Sequence, residues 1–274
     1  MLTVLILVGK ELRDGLRNRW VLGATLLLTI FALTLAFLGA APTGAVKTPP
    51  LAVTIVSLSS LSIFLLPLIA LLLSHDAIVG EAERGTLALL LAYPVARWQV
   101  IIGKFLGQVA ILAFATLIGF GVAAAMLATS EDADVTALPA FATLMGSSVL
   151  LGAAFVAIGL LVSTLVRERS TAGGIAIGLW LGFVLIWDMA LLGILVADQG
   201  RTVTGGMLDG LLLLNPTDAY RLLNLTGDNV GAFAGTAGLA HQTALTPPAL
   251  VAALLGWVAL PLAAAVARFA RRPV

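Results

Sequence analysis

A chain of 274 residues with 60% hydrophobic and only 11% charged residues, and a mean hydropathy of +1.10, is not an ordinary water-soluble domain, in which about a quarter of residues are charged. Its net charge is +1, and no nucleic-acid partner is expected. Cysteine is absent, which excludes disulfides and thiolate metal ligands.

The chain opens on MLTVLILVGKELRDGLRNRW. Leu5, Val8, Leu12 and Leu16 share one helical face, and Lys10, Glu11, Arg13, Asp14 and Arg17 take the other. No small-residue cleavage site follows, so residues 1–19 read as an amphipathic elbow helix lying in the membrane interface, not as a signal peptide. Uncharged runs then recur, most of them reaching the roughly 20 residues that span a bilayer. They predict six transmembrane helices at about residues 20–41, 51–74, 105–128, 139–165, 171–196 and 249–267. The whole chain, 1–274, is then one all-α transmembrane domain without an internal repeat. A cytoplasmic loop covers 75–104, and a long external segment covers 197–248.

Orientation comes from the basic residues. Lys10, Arg13, Arg17, Arg19, Arg84, Arg97, Lys104, Arg167, Arg169, Arg268, Arg271 and Arg272 fall on one side, against Lys47, Arg201 and Arg221 on the other. The positive-inside rule assigns the richer side to the cytoplasm. A multi-pass protein of the bacterial inner membrane with both termini cytoplasmic is the expectation.

Asp76, Glu81, Glu83, Arg84, Arg97 and Lys104 crowd the loop between the second and third spans. Acidic residues contribute little to topology, so orientation alone does not account for them. GEAERGTLALLLAYP reads as an acidic turn, then a helix over 86–92 that breaks at Tyr93-Pro94, because proline lacks the N–H and clashes with the turn before it. An elbow presenting Glu81, Glu83, Arg84 and Gly85 to the cytosol follows. The stretch EAERGTLALLLAYPVARWQVIIGKFLG resembles the corresponding loop of ABC-2-type transporter permeases, where an acidic pair precedes Gly-Thr-Leu and a leucine run ends at proline. That family's fold, an elbow and six helices per protomer, covers the whole chain. The resemblance implies that Glu81, Glu83, Arg84, Gly85, Thr86 and Arg97 belong to a coupling seat for a cytoplasmic ATPase, with Arg167, Glu168 and Arg169 a second contact. With KELRDGLRNRW, SLSSLSIFLLPLIALLLSHDAIVGE and LLLLNPTDAYRLLNLTG added, the chain is similar to those ABC-2 permeases that support copper-site assembly in nitrous oxide reductase. Their partners are an ABC ATPase inside and a periplasmic solenoid protein outside.

No G-x-x-x-x-G-K-[ST] phosphate loop is present, so the chain is not expected to be an enzyme. ATP and magnesium would belong to the partner ATPase, and six helices without a repeat suggest half of a homodimer. In the external segment, Asn215 caps a helix that begins at Pro216 with Asp218 in its first turn. From the residues alone this segment is either a lid packing on its own helices or a docking platform; the resemblance favours a platform for the periplasmic partner using Asn215, Asp218, Tyr220 and Arg221. Asp188 stands within the fifth span, where a carboxylate costs about 2.5–3.5 kcal/mol. No base is expected at its depth, and a bond to a neighbouring helix is the favoured reading. His75 and His241 are isolated, and Ser57, Ser59, Ser60 and Ser62 are read as a helix contact. Met126, Met145, Met189 and Met207 come from separate segments, so no metal site and no copper path are expected. The competing functions are ABC-2 export of a lipid, drug or polysaccharide, and, in another class, a secondary transporter or passive anchor.

Overall fold

The computed structural model describes residues 2–17, 19–39, 50–128, 138–198, 204–225 and 245–272. All regular elements among the described residues are helices, the form in which a segment in hydrocarbon satisfies its own backbone. Their order is α1 (Leu2–Arg17), α2 (Arg19–Gly39), α3 (Pro50–Ser74), α4 (Val79–Glu83), α5 (Thr86–Leu91), α6 (Arg97–Ala128) and α7 (Leu138–Leu165). After these come α8 (Arg169–Leu181), a π-helical turn (Gly182–Ile186), α9 (Trp187–Asp198), α10 (Gly205–Leu213), α11 (Pro216–Leu225) and α12 (Pro247–Ala270).

Among the described residues, five helical stretches are long and apolar enough to cross a membrane: Thr54–Glu83, Arg97–Ala125, Pro139–Leu165, Arg169–Asp198 and Pro247–Ala270. Helix α2 has no charge beyond Arg19, and its 21 residues rise about 31 Å, close to the hydrocarbon thickness of about 30 Å. At the centre stands α7, in which every residue over 151–160 is buried. It packs against α3, α6, α11 and α12, and Leu151, Phe155, Val156 and Leu160 anchor the main core. Pro67 interrupts the hydrogen bonding of α3. One turn away, the carbonyl of Phe64 accepts the indole N–H of Trp180 at 2.9 Å, a bond from α8 to α3.

Two details add to the sequence reading. The elbow helix packs along α6 through Leu7, Glu11 and Gly15. Leu5, one of the residues expected to face the membrane interface, is exposed, as is Ile6. Gly103 and Gly107, one turn apart on α6, explain the close approach. A Cβ at Gly103 would lie 2.6 Å from that of Leu7, and one at Gly107 2.5 Å from that of Glu11. This small-xxx-small spacing lets two helices approach closely. Secondly, the third span does not begin near 105; α6 is continuous from Arg97.

Candidate functional sites at the two ends of the bundle

At one end, the loop from His75 to Ala96 folds into a compact elbow. Ser163 of α7 accepts the backbone N–H groups of Ile78 and Val79 at 2.9 and 3.0 Å, satisfying two donors at the start of α4. Gly85 takes φ +72°, the left-handed conformation that costs a glycine nothing, and turns the chain from α4 into α5. Ile78, Leu87, Val100 and Ile101 then pack against Ala265 and Phe269 of α12. Helix α5 ends at Leu91, ahead of Tyr93-Pro94, as the proline predicts. Asp76 pairs with Arg169 at 2.9 Å, and Glu83 accepts the backbone N–H of Arg169 at 2.6 Å. A carboxylate at a helix N-terminus meets the positive end of the dipole, so the two loops at this end are fastened together.

This geometry corrects two members of the expected seat. Glu81 is buried, and its Oε1 meets Lys104 Nζ at 2.8 Å and Lys10 Nζ at 3.4 Å. Lys104, also buried, reaches Glu11 at 2.9 Å. The cluster therefore joins α1, α4 and α6, and Glu81 is spent on an internal contact. Arg97 also turns inward. Its guanidinium donates to the carbonyls of Phe269, Ala270 and Arg272 and lies over the Phe269 ring. It thereby caps the C-terminal end of α12. Arg272 in turn donates to the carbonyls of Ser163 and Val166 at the end of α7, at 3.2 and 3.0 Å. What remains open is Glu83, Arg84, Gly85 and Thr86, beside exposed Leu89 and Tyr93. Arg167, Glu168 and Arg169 are exposed alongside. His75 bonds its ring Nδ1 to the carbonyls of Leu71 and Leu72, a local contact.

At the opposite end, α11 forms as the residues predict. Pro216 is its first residue, and Asn215 Oδ1 accepts the Thr217 N–H at 3.0 Å. Its polar side chains nevertheless face the protein. Asn215, Asp218 and Tyr220 are buried, so as side chains they cannot form the outward docking platform expected of them. The reason lies in the fifth span. Within its π-helical turn, the Phe183 carbonyl accepts from Asn215 Nδ2 at 2.8 Å and from Thr217 Oγ1 at 3.4 Å. One turn on, Asp188 meets Arg221 at 2.6 Å, and the same guanidinium holds Asp218 at 2.8 Å. The expectation that no base lies near Asp188 is therefore corrected: Arg221, 33 residues away in sequence, supplies it. Burial pushes the Asp218 carboxyl up to about 7; Arg221 pulls against that rise and Asp188 adds to it.

Tyr220 shares a hydrogen bond with Ser148 at 2.9 Å, and Asn224 donates to Ser147 at 2.9 Å. Ser59 and Ser62 of α3 are buried while Ser60 is exposed, in keeping with a helix contact by the buried pair. No group of three or more metal-binding side chains occurs among the described residues. His241 lies outside the described residues, and so does the side chain of Met126.

A helical bundle with an elbow helix at its start, a folded loop between its second and third long spans, and apolar helices throughout is a membrane permease of the ABC-2 kind. A model of the ABC-2 family transporter proteins matches residues 5–274, and the chain belongs to that family. It is a multi-pass membrane protein. It is 49% identical to the ABC transporter permease protein NosY of Pseudomonas aeruginosa, over 100% of both chains. It is 47% identical to the NosY permease of Stutzerimonas stutzeri, over 96% of each.

Proposed function

We propose that this chain is the permease subunit of an ABC transporter in the nos system, supporting copper-site assembly in nitrous oxide reductase. It is not itself an enzyme; ATP is hydrolysed by a separate cytoplasmic NosF-like ATPase. The observation that carries the coupling is the exposed turn Glu83–Arg84–Gly85–Thr86, seated on α7, α8 and α12 by buried contacts and helix caps. A push on that turn reaches three long helices without a flexible link between. Arg167, Glu168 and Arg169 extend the seat, since Arg169 is bonded to both Asp76 and Glu83.

The chain works as a homodimer in the bacterial inner membrane, with both termini and the 75–104 loop in the cytoplasm. Support for pairing comes from the fifth span, most of whose surface is left open in the protomer. Gly174, Gly178 and Gly182 recur there at i, i+4 and i+8 with no atom near their Cβ positions, a spacing that suits close helix approach. A periplasmic NosD-like solenoid protein meets the opposite end and receives the conformational change. No copper passes through the permease, because Met145, Met189 and Met207 sit on α7, α9 and α10, too scattered for a relay of soft ligands.

The seat is tested by Glu83→Lys with Arg84→Glu, which removes neither buried cluster. The variant inserts and folds normally but loses its ATPase on affinity purification from membranes. Retention of the ATPase at normal yield and turnover refutes the seat. Orientation is checked with single cysteines in the cysteine-free chain: Ser170→Cys and Glu83→Cys stay unlabelled by an impermeant thiol reagent in intact cells, and Gly205→Cys is labelled. Labelling at position 83 from outside reverses the topology.

A further inference from the structure

The α10–α11 segment is fastened to the bundle by polar contacts that a soluble helix pair would not need. Arg221 bridges Asp188 of α9 and Asp218 of its own helix. Asn215 and Thr217 hold the Phe183 carbonyl of the π-helical turn. Tyr220 and Asn224 close over Ser148 and Ser147 of α7. Two carboxylates share one guanidinium, and Asp218 is the deeply buried one, with side-chain exposure of 2% against 28% for Asp188. Its Oδ2 has no hydrogen-bond partner among the described residues. A buried, half-satisfied carboxylate next to a second carboxylate favours its protonated form.

We infer that α10–α11 is a lid closed over the buried hydroxyls of α3 and α7, locked when Asp218 carries a proton and loosened when it gives that proton up. The charged groups around it are few. Helices α3 and α7 have none, α10 has Asp209, α12 has only Arg268 in its last turn, and the fifth span has Asp188, with Arg169 and Asp198 at its two ends. With the lid shut, burial holds the Asp218 carboxyl up at about 7; lifted into water, it returns to the ordinary value of 3.8. The closed state therefore binds the proton more tightly, and acid favours closure. Opening becomes easier as pH rises from about 4 to about 7 and levels off above that, where both states are ionised. Opening would uncover Ser148, Ser62 and the π-helical turn, and would free Arg221.

The test uses the full chain in lipid nanodiscs, both faces open to reagent, so that neither the ATPase nor the orientation enters the result. Ser148→Cys places a thiol beneath Tyr220. Its labelling by a maleimide is measured relative to Gly205→Cys, which is exposed in the closed lid and corrects for thiol reactivity. The relative rate rises about tenfold between about pH 5.5 and about pH 7.5, within the limit of tenfold per pH unit for one proton. Asp218→Asn, a neutral mimic of the protonated acid, keeps the rate low and flat. Arg221→Gln raises it at the upper pH. A rise that survives Asp218→Asn, or labelling in Arg221→Gln no faster than with Arg221 intact, overturns the inference. Because Ser148→Cys alters the hydrogen bond to Tyr220, amide exchange is also followed without any substitution. The amides of 216–225, corrected for intrinsic rate, are better protected at the lower pH, and equal protection also overturns it.

Discussion

Replacing Lys104 by Met isolates the charge cluster that joins the elbow helix to the loop. The methionine keeps most of the apolar stem and removes only the ammonium, leaving two carboxylates, Glu81 and Glu11, without their shared partner at 2.8 and 2.9 Å. Breaking a buried ion pair from one side costs about 3–5 kcal/mol. Glu81 keeps Lys10 at 3.4 Å, but that side chain is 48% exposed, and such a pair returns less than about 1 kcal/mol. A loss of about 3 kcal/mol remains. At about 2–4 °C per kcal/mol for larger chains, the midpoint for loss of monodisperse protein, read by fluorescence-detected size exclusion after heating, falls by about 8 °C. Adding Glu81→Gln and Glu11→Gln to Lys104→Met removes the stranded charges and restores most of the loss, since replacing a whole buried cluster is near neutral. If the triple variant is as unstable as the single one, the loss comes from packing and the electrostatic account is wrong. A drop of under about 2 °C in the single variant also refutes it.

Gly107→Leu drives a side chain into the Glu11 stem, where even a Cβ would sit at 2.5 Å; overpacking of this kind costs about 1–3 kcal/mol. Amide exchange of 2–17 accelerates as α1 detaches, while Gly9→Leu, with nothing near its Cβ position, leaves that exchange unchanged. Arg97→Gln uncaps α12 and lowers thermal stability by about 1 kcal/mol, and Arg97→Lys recovers part of it. Asn215→Ala leaves the Phe183 carbonyl to Thr217 alone, at 3.4 Å, which costs about 1–3 kcal/mol in the same thermal assay.

What the sequence discloses is what is decided locally. Uncharged runs longer than a bilayer is thick announce the long helices, Tyr93-Pro94 ends α5, and Asn215-Pro216 starts α11, because each follows from hydropathy or backbone chemistry within a few residues. The sites fail differently. Lys104 meets Glu11 across 93 residues of sequence, and Arg221 meets Asp188 across 33; neither pairing has a local signature. Glu81 and Arg97 have the composition of a docking loop, yet their burial is set by helices far away in the chain. One signal was within reach. GKFLG holds Gly103 and Gly107 at the spacing that admits a close helix, and α1 packs there through Leu7 and Glu11.

The two ends of the bundle are therefore built for different mechanical duties. At the loop end, polar groups around the open turn close on elements remote in sequence: Glu83 on α8, Arg97 on α12, Arg272 on α7, and Lys104 on both α1 and α4. These contacts are numerous and partly buried, so a displacement of the exposed turn moves α7 and α12 together instead of deforming the loop. The far end is different. There the fifth span carries a π-helical turn, a form seen mostly as single-turn bulges and often at functional positions, and its Phe183 carbonyl is met by a segment held through one guanidinium shared by two acids.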